Sequence, residues 1–471
     1  MPRGNLVRWR SILPLGAAAG VLALGRDVPA TLGLAGVCAG AASLWTFLRR
    51  PIIWVPLFLT LAVLTPPFPV GDLPIHAASL LFAAVLPAML VRGFAWGRDP
   101  LSWAFLLFLT LLLFSTLLAF VYSGATVGGQ SLLRWLLLLQ AFVLFAWTAY
   151  GPADSVPEAQ TLVRLLLWLG LAGALLALAD FAFQIPPTVR FSEQYIYLPD
   201  GPRRRAQGFF YDASVLGAFC AFLLILIAAL ALSRERPVRA TRWVACLAAP
   251  LLTFALVVSF SRGAVLNLLV GLAVLLFWNR SALLERRAVA FAAAASAVAA
   301  ASAALAALLA PDILRIFFLR LQFSALQFFA APNEVLSSRL ATWRYLLDFV
   351  VAHPEHFLLG IGYKTLPYTT FLGRPLVADN MYGSLLVESG ALGLSVFLVM
   401  CAVILKTAWR FARSADPLLA VLGAFLLAGW CGFMVQMLSG DTLTYWRVTP
   451  IYFVLLGAAV RRHRRLGRGP R

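Results

Sequence analysis

The feature that most limits the fold is a succession of apolar runs, each about 20 residues long, separated by short turns or arginine clusters. A helix needs that length to cross the ~30 Å hydrocarbon core of a bilayer. Within that core only helices and closed barrels satisfy their own backbone. Runs near 9–25, 29–48, 52–67, 74–91, 101–122, 131–150, 160–183, 213–232, 243–259, 263–279, 288–310, 380–405, 416–438 and 447–460 are the candidates. Only 12% of the 471 residues are charged and 62% are hydrophobic, against about 25% charged in a soluble domain. The expected fold is an all-α integral membrane protein with about 12–14 transmembrane helices.

Arginine placement sets the orientation. Arg3, Arg8 and Arg10, the pairs Arg49–Arg50 and Arg92–Arg98, "SRERPVRATRW", "NRSALLERR", "KTAWRFARSADP" and the tail "RRHRRLGRGPR" all fall on one side if the span count is even. Positive loops stay cytoplasmic, so both termini are expected there. Three arginines before the first apolar run suggest a signal peptide, but with no A-x-A site an uncleaved span is expected. The other side carries mostly brief turns, with two exceptions at 184–212 and 311–379. Long loops with structure of their own are usually functional. The chain thus divides into N-terminal spans (1–200), spans with arginine motifs (201–310), a loop with short helices near 313–328 and 336–351 (311–379), and C-terminal spans with a basic tail (380–471).

The net charge of +19 sits in short clusters between spans, and no stacking platform or recognition helix accompanies it, which argues against nucleic acid. The five cysteines all lie in apolar runs and the four histidines are scattered, so neither disulfides nor a metal centre is expected.

Basic residues are disfavoured on the outer side unless they bind something. Arg190, Arg203, Arg204, Arg205, Arg262, Arg315, Arg320, Arg339, Arg344, Lys364 and Arg374 are expected there. Guanidinium groups clamp phosphates bidentately. In "GPRRRAQGFFYDAS" Arg205 stands nearest the following span and Gly208; in "SFSRG" Arg262 lies in a tight turn between two spans, among small hydroxyl residues that let an anion approach. Snorkelling to the interface is the plainer explanation of Arg262. In "SSRLATWRYLLDFV" Arg339 and Trp343 share one helix face, and Lys364 lies in the flexible "GIGYKTLP". Asp379 and Asn380 both suit the cap of the next span, with Asp379 heading a seam of Gly383, Leu386 and Gly390. Glu388 faces the other way, about 12 Å deeper, as a network acid hydrogen-bonded or paired with an arginine. Asp180, Arg134, Gln140 and Gln436 are further polar groups within spans, and "SGDTLTYWR" adds Asp441, Tyr445, Trp446 and Arg447 on the outer side.

Together "RRRAQGFFYD", "SFSRG", "SRLATW", "HPEHFLLGIGY" and "DNMYGSLLVESGALGL" resemble the bacterial O-antigen ligase and O-antigen polymerase superfamily over roughly residues 200 to 400. That resemblance implies a metal-independent, inverting glycosyltransferase of the inner membrane that uses no cofactor. It implies an undecaprenyl-pyrophosphate-linked glycan donor, a glycan or lipid A–core acceptor, and a periplasmic active face. The family's pyrophosphate-binding arginines fall on Arg205, which begins R-x-x-G at Gly208, and on Arg262; its loop arginine falls on Arg339. Where ligases carry a His before the Asn of the last motif, this chain has Asp379. Catalysis is therefore expected from Asp379, Arg262 and Arg205, and substrate binding from Arg203, Arg204, Arg339, Trp343, Lys364, Asn380 and Glu388. A lipid-saccharide transporter or flippase that uses the polar groups within spans, and a non-catalytic envelope scaffold, are the alternatives.

Overall fold

The computed structural model describes residues 42–70, 73–186, 194–198, 201–233, 238, 242–280, 286–309, 311–327, 330 and 339–467. The first candidate span, most of the second, Cys38, Arg3, Arg8, Arg10 and Arg190 lie outside these residues, as do Ser337 and Ser338.

Apolar runs become helices throughout. In chain order they are α1 (Ala42–Arg49), α2 (Trp54–Leu64), α3 (Ala77–Val91), α4 (Pro100–Tyr150), α5 (Ala159–Phe183), α6 (Ala213–Leu232), α7 (Arg242–Val258) and α8 (Arg262–Trp278). There follow α9 (Arg286–Leu309), α10 (Pro311–Gln327), α11 (Arg339–Ala352), α12 (Met381–Ala412), α13 (Pro417–Gln436) and α14 (Thr449–Leu466). Side chains of Asp99, Asp212, Ser261, Asn380 and Asp416 cap helix starts by accepting backbone N–H bonds. Two short hairpins interrupt the helices: β1 (Phe68–Val70) with β2 (Leu73–Ile75), and β3 (Tyr195–Leu198) with β4 (Gly201–Arg204).

Among the described residues five helices are long and apolar enough to cross a membrane, or up to seven if two sharply bent pairs each count once; α3, α7 and α8 are shorter apolar helices. The 51 residues of α4 would run far beyond a bilayer if straight. They fold back at Gly124, whose φ is 82°. Trp135 then donates to the Leu109 carbonyl at 2.9 Å, and Ser131 and Thr116 hydroxyls meet at 3.3 Å, so the two expected spans form an antiparallel pair. The centre is closed by α4 against α14 and α12, and by α13 against α8 and α12. Phe105, Phe142, Trp430, Tyr452 and Phe453 fill it with stacked and edge-on rings. The chain is an all-α, multi-pass membrane protein.

One expected seam fails. Gly390 does not continue a helix face: with φ 70° it breaks α12. A helix broken among apolar neighbours leaves amides and carbonyls that must find partners. They find them in the segment 357–362. Ala391 N donates to Phe357 O at 2.7 Å and Leu392 N to Leu358 O at 3.3 Å, while Ile361 N donates to Val387 O at 3.1 Å and Gly362 N to Glu388 O at 2.9 Å. Ser115 of α4 adds a bond to Glu388 O at 2.7 Å. Such close backbone crossing explains the glycines: a Cβ on Gly390 meets the Leu358 carbonyl, and one on Gly360 meets Glu388.

Gly390→Ala should therefore lower stability by at least ~1–3 kcal/mol. Gly129→Ala, inside α4 with nothing within 4 Å of the added Cβ, should be neutral or stabilising by up to ~1 kcal/mol. Thermal unfolding of the detergent-solubilised proteins distinguishes the two.

Candidate functional site

The R-x-x-G turn is built around a buried carboxylate. Asp180, near the end of α5, is 4% exposed. Its Oδ1 takes the Arg204 guanidinium in an ion pair, and its Oδ2 accepts from Gln207 N and Gly208 N, each at 2.8 Å. Gly208 adopts φ +57° against Ala177. Arg204 also donates to Gln207 Oε1 at 3.1 Å; Gln184, in a left-handed cap, accepts from Arg204 N at 2.8 Å. Arg204 is thus spent on shaping the turn. Arg203 stands opposite Ile196 in the β3–β4 hairpin, half-buried.

The turn presents Arg205 to the second motif. Its Nε donates to the Ser259 carbonyl at 2.7 Å, and its guanidinium also meets the Gln194 side chain. Ala206 N donates to Val258 O at 3.1 Å, so R-x-x-G and "SFSRG" are joined through their backbones. Between α7 and α8 Phe260 takes φ +49°, Ser261 caps α8, and Arg262 is its first residue, half-buried. Gly217 of α6 makes room: a Cβ there would press on Ser259 Oγ and Ser261 Cβ at 3.0 Å.

The end of α13 links this cluster to the third. Gly263 lies against Ser439, and Asn267 of α8 donates to Gln436 Oε1 at 2.7 Å. One residue on, Met437 O accepts from Met381 N at 2.9 Å, so the start of α12 sits beside the start of α8. Asn380, not Asp379, caps α12, accepting from Tyr382 N at 3.0 Å and Gly383 N at 3.2 Å. Asp379 is left with φ +46°, half in solvent, and pairs with Arg339 Nε at 3.2 Å. Exposed pairs of this kind contribute at most ~1 kcal/mol, so the carboxylate is readily released. Trp343 anchors α11 by donating to Ala378 O at 3.2 Å. Between α11 and α12 an apolar groove of about 250 Å³ is lined by Trp343, Leu346, Leu347, Tyr382 and Leu386, with Asn380 at its edge.

Behind α12 lies a buried charge group. Glu388, expected to be hydrogen-bonded or paired with an arginine, is near a lysine: Lys364 Nζ is 3.8 Å from Glu388 Oε2 and ion-paired with Asp441. Burial opposes the charge on Lys364, but Asp441 and Glu388 outweigh it and hold its pKa above the usual lysine value. Glu388 Oε1 accepts from Leu366 N at 3.3 Å. Arg134 bonds Tyr368 and lies over its ring at 4.6 Å. Lys364 and Glu388 thus tie the 357–379 loop to the broken helix. Among the described residues the positive-φ non-glycines are Gln184, Phe260, Lys364 and Asp379; the last three lie in these segments and Gln184 accepts from Arg204 N. Strained backbone of this kind concentrates at functional sites.

Sequence reasoning named Asp180 without seeing that it organises the R-x-x-G turn, and passed over Gln194. The glycines of "GIGY" and "ESGALG" were the available signal for the helix break. Removing Asp180 strands a buried guanidinium and two amides. Asp180→Ala should cost about 3–5 kcal/mol, read as loss of folded protein in detergent.

Residues 247–398 match the model of the O-antigen ligase family. The match takes in Arg262, Arg339, Asp379 and the break at Gly390, and leaves out the R-x-x-G turn and the 439–447 loop. No curated protein matches the chain. Over residues 247–398 the chain is therefore similar to the O-antigen ligase family.

Proposed function

We propose that the chain transfers or polymerises a glycan from undecaprenyl pyrophosphate onto an acceptor hydroxyl, at the periplasmic face of the bacterial inner membrane, in surface-polysaccharide synthesis. The observation that carries this reading is the contact of Arg205 with the Ser259 carbonyl at 2.7 Å. It draws two arginine motifs, 54 residues apart, into one basic corner beside the start of α12. Arg205, Arg262 and Arg339 hold the diphosphate there. Fixed guanidiniums stabilise the charge that grows on a leaving phosphate without reorganising, so the arginines themselves meet the electrostatic demand.

In this mechanism Asp379 leaves Arg339 as donor binds and takes the proton of the acceptor hydroxyl. The acceptor oxygen bonds to the anomeric carbon as the bond from that carbon to the phosphate oxygen breaks, and the electron pair leaves with the diphosphate. A single in-line displacement inverts the anomeric centre. The groove between α11 and α12 takes part of a lipid chain beside the reacting sugar. Lys364 and Glu388 position the loop bearing Asp379, Asn380 fixes the helix start behind it, and Arg203 borders the diphosphate corner.

Arg262→Ala, inserted at normal levels, should lose glycan transfer by at least about 100-fold, the scale of one electrostatic donor in a catalytic site. Asp379→Asn should lower turnover by about 10²–10⁴-fold with little change in donor affinity. Purified protein with lipid-pyrophosphate glycan and each acceptor in turn provides the measurement. Wild-type rates in Arg262→Ala would overturn the assignment.

A further inference from the structure

The loop between α13 and α14 has no part in the chemistry proposed above, yet it presents a side chain to the site. Tyr445 is 8% exposed, and its hydroxyl makes no hydrogen bond to any described residue. A buried phenol normally finds a partner. The hydroxyl lies over Gly440, where a Cβ would come within 2.9 Å of it, so the glycine keeps that space open. Asp212, Asp441, Asp379 and Arg339 all act on it electrostatically. The geometry of the loop agrees: Tyr211, beside the Asp212 cap of α6, donates to Thr444 O at 2.9 Å, and Met437, at the head of the loop, accepts from Met381 N at the start of α12 at 2.9 Å. Burial first, then the three carboxylates, push the Tyr445 pKa well up, against Arg339, so the phenol stays protonated and can donate. Two neighbours on the same loop, Asp441 Oδ1 and Thr442 Oγ1, are likewise buried without a hydrogen bond. Among the described residues no three acids stand close enough to share a metal ion.

Carboxylates accept well from sugar hydroxyls, and a phenol donates to a hydroxyl or ring oxygen. The chemistry of the site is therefore divided. Its arginine side suits the diphosphate, and its Tyr445 side suits a neutral polyhydroxylated molecule. We propose that Tyr445 contacts the acceptor saccharide, donating a hydrogen bond that turns the attacking hydroxyl toward Asp379, while Asp212 and Asp441 accept from adjacent sugar hydroxyls. This rests on the glycosyl-transfer reading of the same site, and it assigns the acceptor's place within it.

Tyr445→Phe removes one oxygen that supports nothing in the fold, so a purely structural tyrosine predicts unchanged stability and unchanged kinetics. An acceptor contact predicts unchanged thermal stability and donor KM, with acceptor KM or Kd raised about tenfold or more, as for a polar group left unpaired in a bound complex. The probes are oligosaccharide freed by mild acid from the host's own lipid-linked glycan and delipidated core oligosaccharide, each titrated into full-length detergent-solubilised protein and each used in turnover. Equal acceptor affinity in wild type and Tyr445→Phe, loss confined to donor KM, or no binding of either saccharide would overturn the assignment. Saccharide binding that depends on Tyr445 in a protein that forms no glycosidic bond would uphold it and overturn glycosyl transfer instead. Turnover that is indifferent to Tyr445→Phe would do the reverse.

Discussion

The constraint on which the rest depends is that a helix interrupted inside an apolar bundle must satisfy its freed backbone groups within the protein. At Gly390 they are satisfied by the segment 357–362, whose own amides and carbonyls fit the gap on both sides. That lacing fixes where the loop enters and where α12 starts, and hence where Asp379 and Asn380 stand. Glycine at 360 and 390 follows from the closeness of two backbones, not from flexibility. Lys364, paired with Asp441 and Glu388, adds a charged bolt at the same place. Charges so deeply buried persist only when compensated.

A second centre is Asp180. One carboxylate neutralises Arg204 and collects two amides, so the adjacent Arg204 and Arg205 end in different tasks. Arg204 builds the turn; Arg205 reaches the "SFSRG" loop. Coulomb energy favours such division, because three clustered guanidiniums with no acid among them would repel one another strongly in a low dielectric. The Arg339–Asp379 pair is partly exposed, so a change of partner there costs little.

Much of the fold was legible in the sequence. Apolar runs of bilayer length, proline and Asx residues at their starts and arginines between them gave the helices. The two short loop helices and the tight turn at "SFSRG" fell where expected. The hairpin inside α4 was legible as two runs separated by glycines. The broken α12 was not, because a Gly in an apolar run serves equally as a packing seam, and only the neighbour that fills the break distinguishes the two. For the same reason the sequence does not show that the cation near Glu388 is Lys364.

The sequence by itself determined that this chain is a multi-pass helical membrane protein and which short motifs hold its unusual charges, because bilayer thickness and the cost of charge in apolar surroundings act on local stretches of chain. Only the tertiary structure decided which arginine shapes a turn and which faces the next motif, that Asp379 pairs with Arg339, and that the loop of Tyr445 takes a hydrogen bond from Tyr211. Those outcomes depend on partners tens to hundreds of residues away, and hydrogen bonding and charge pairing act through space, not along the chain.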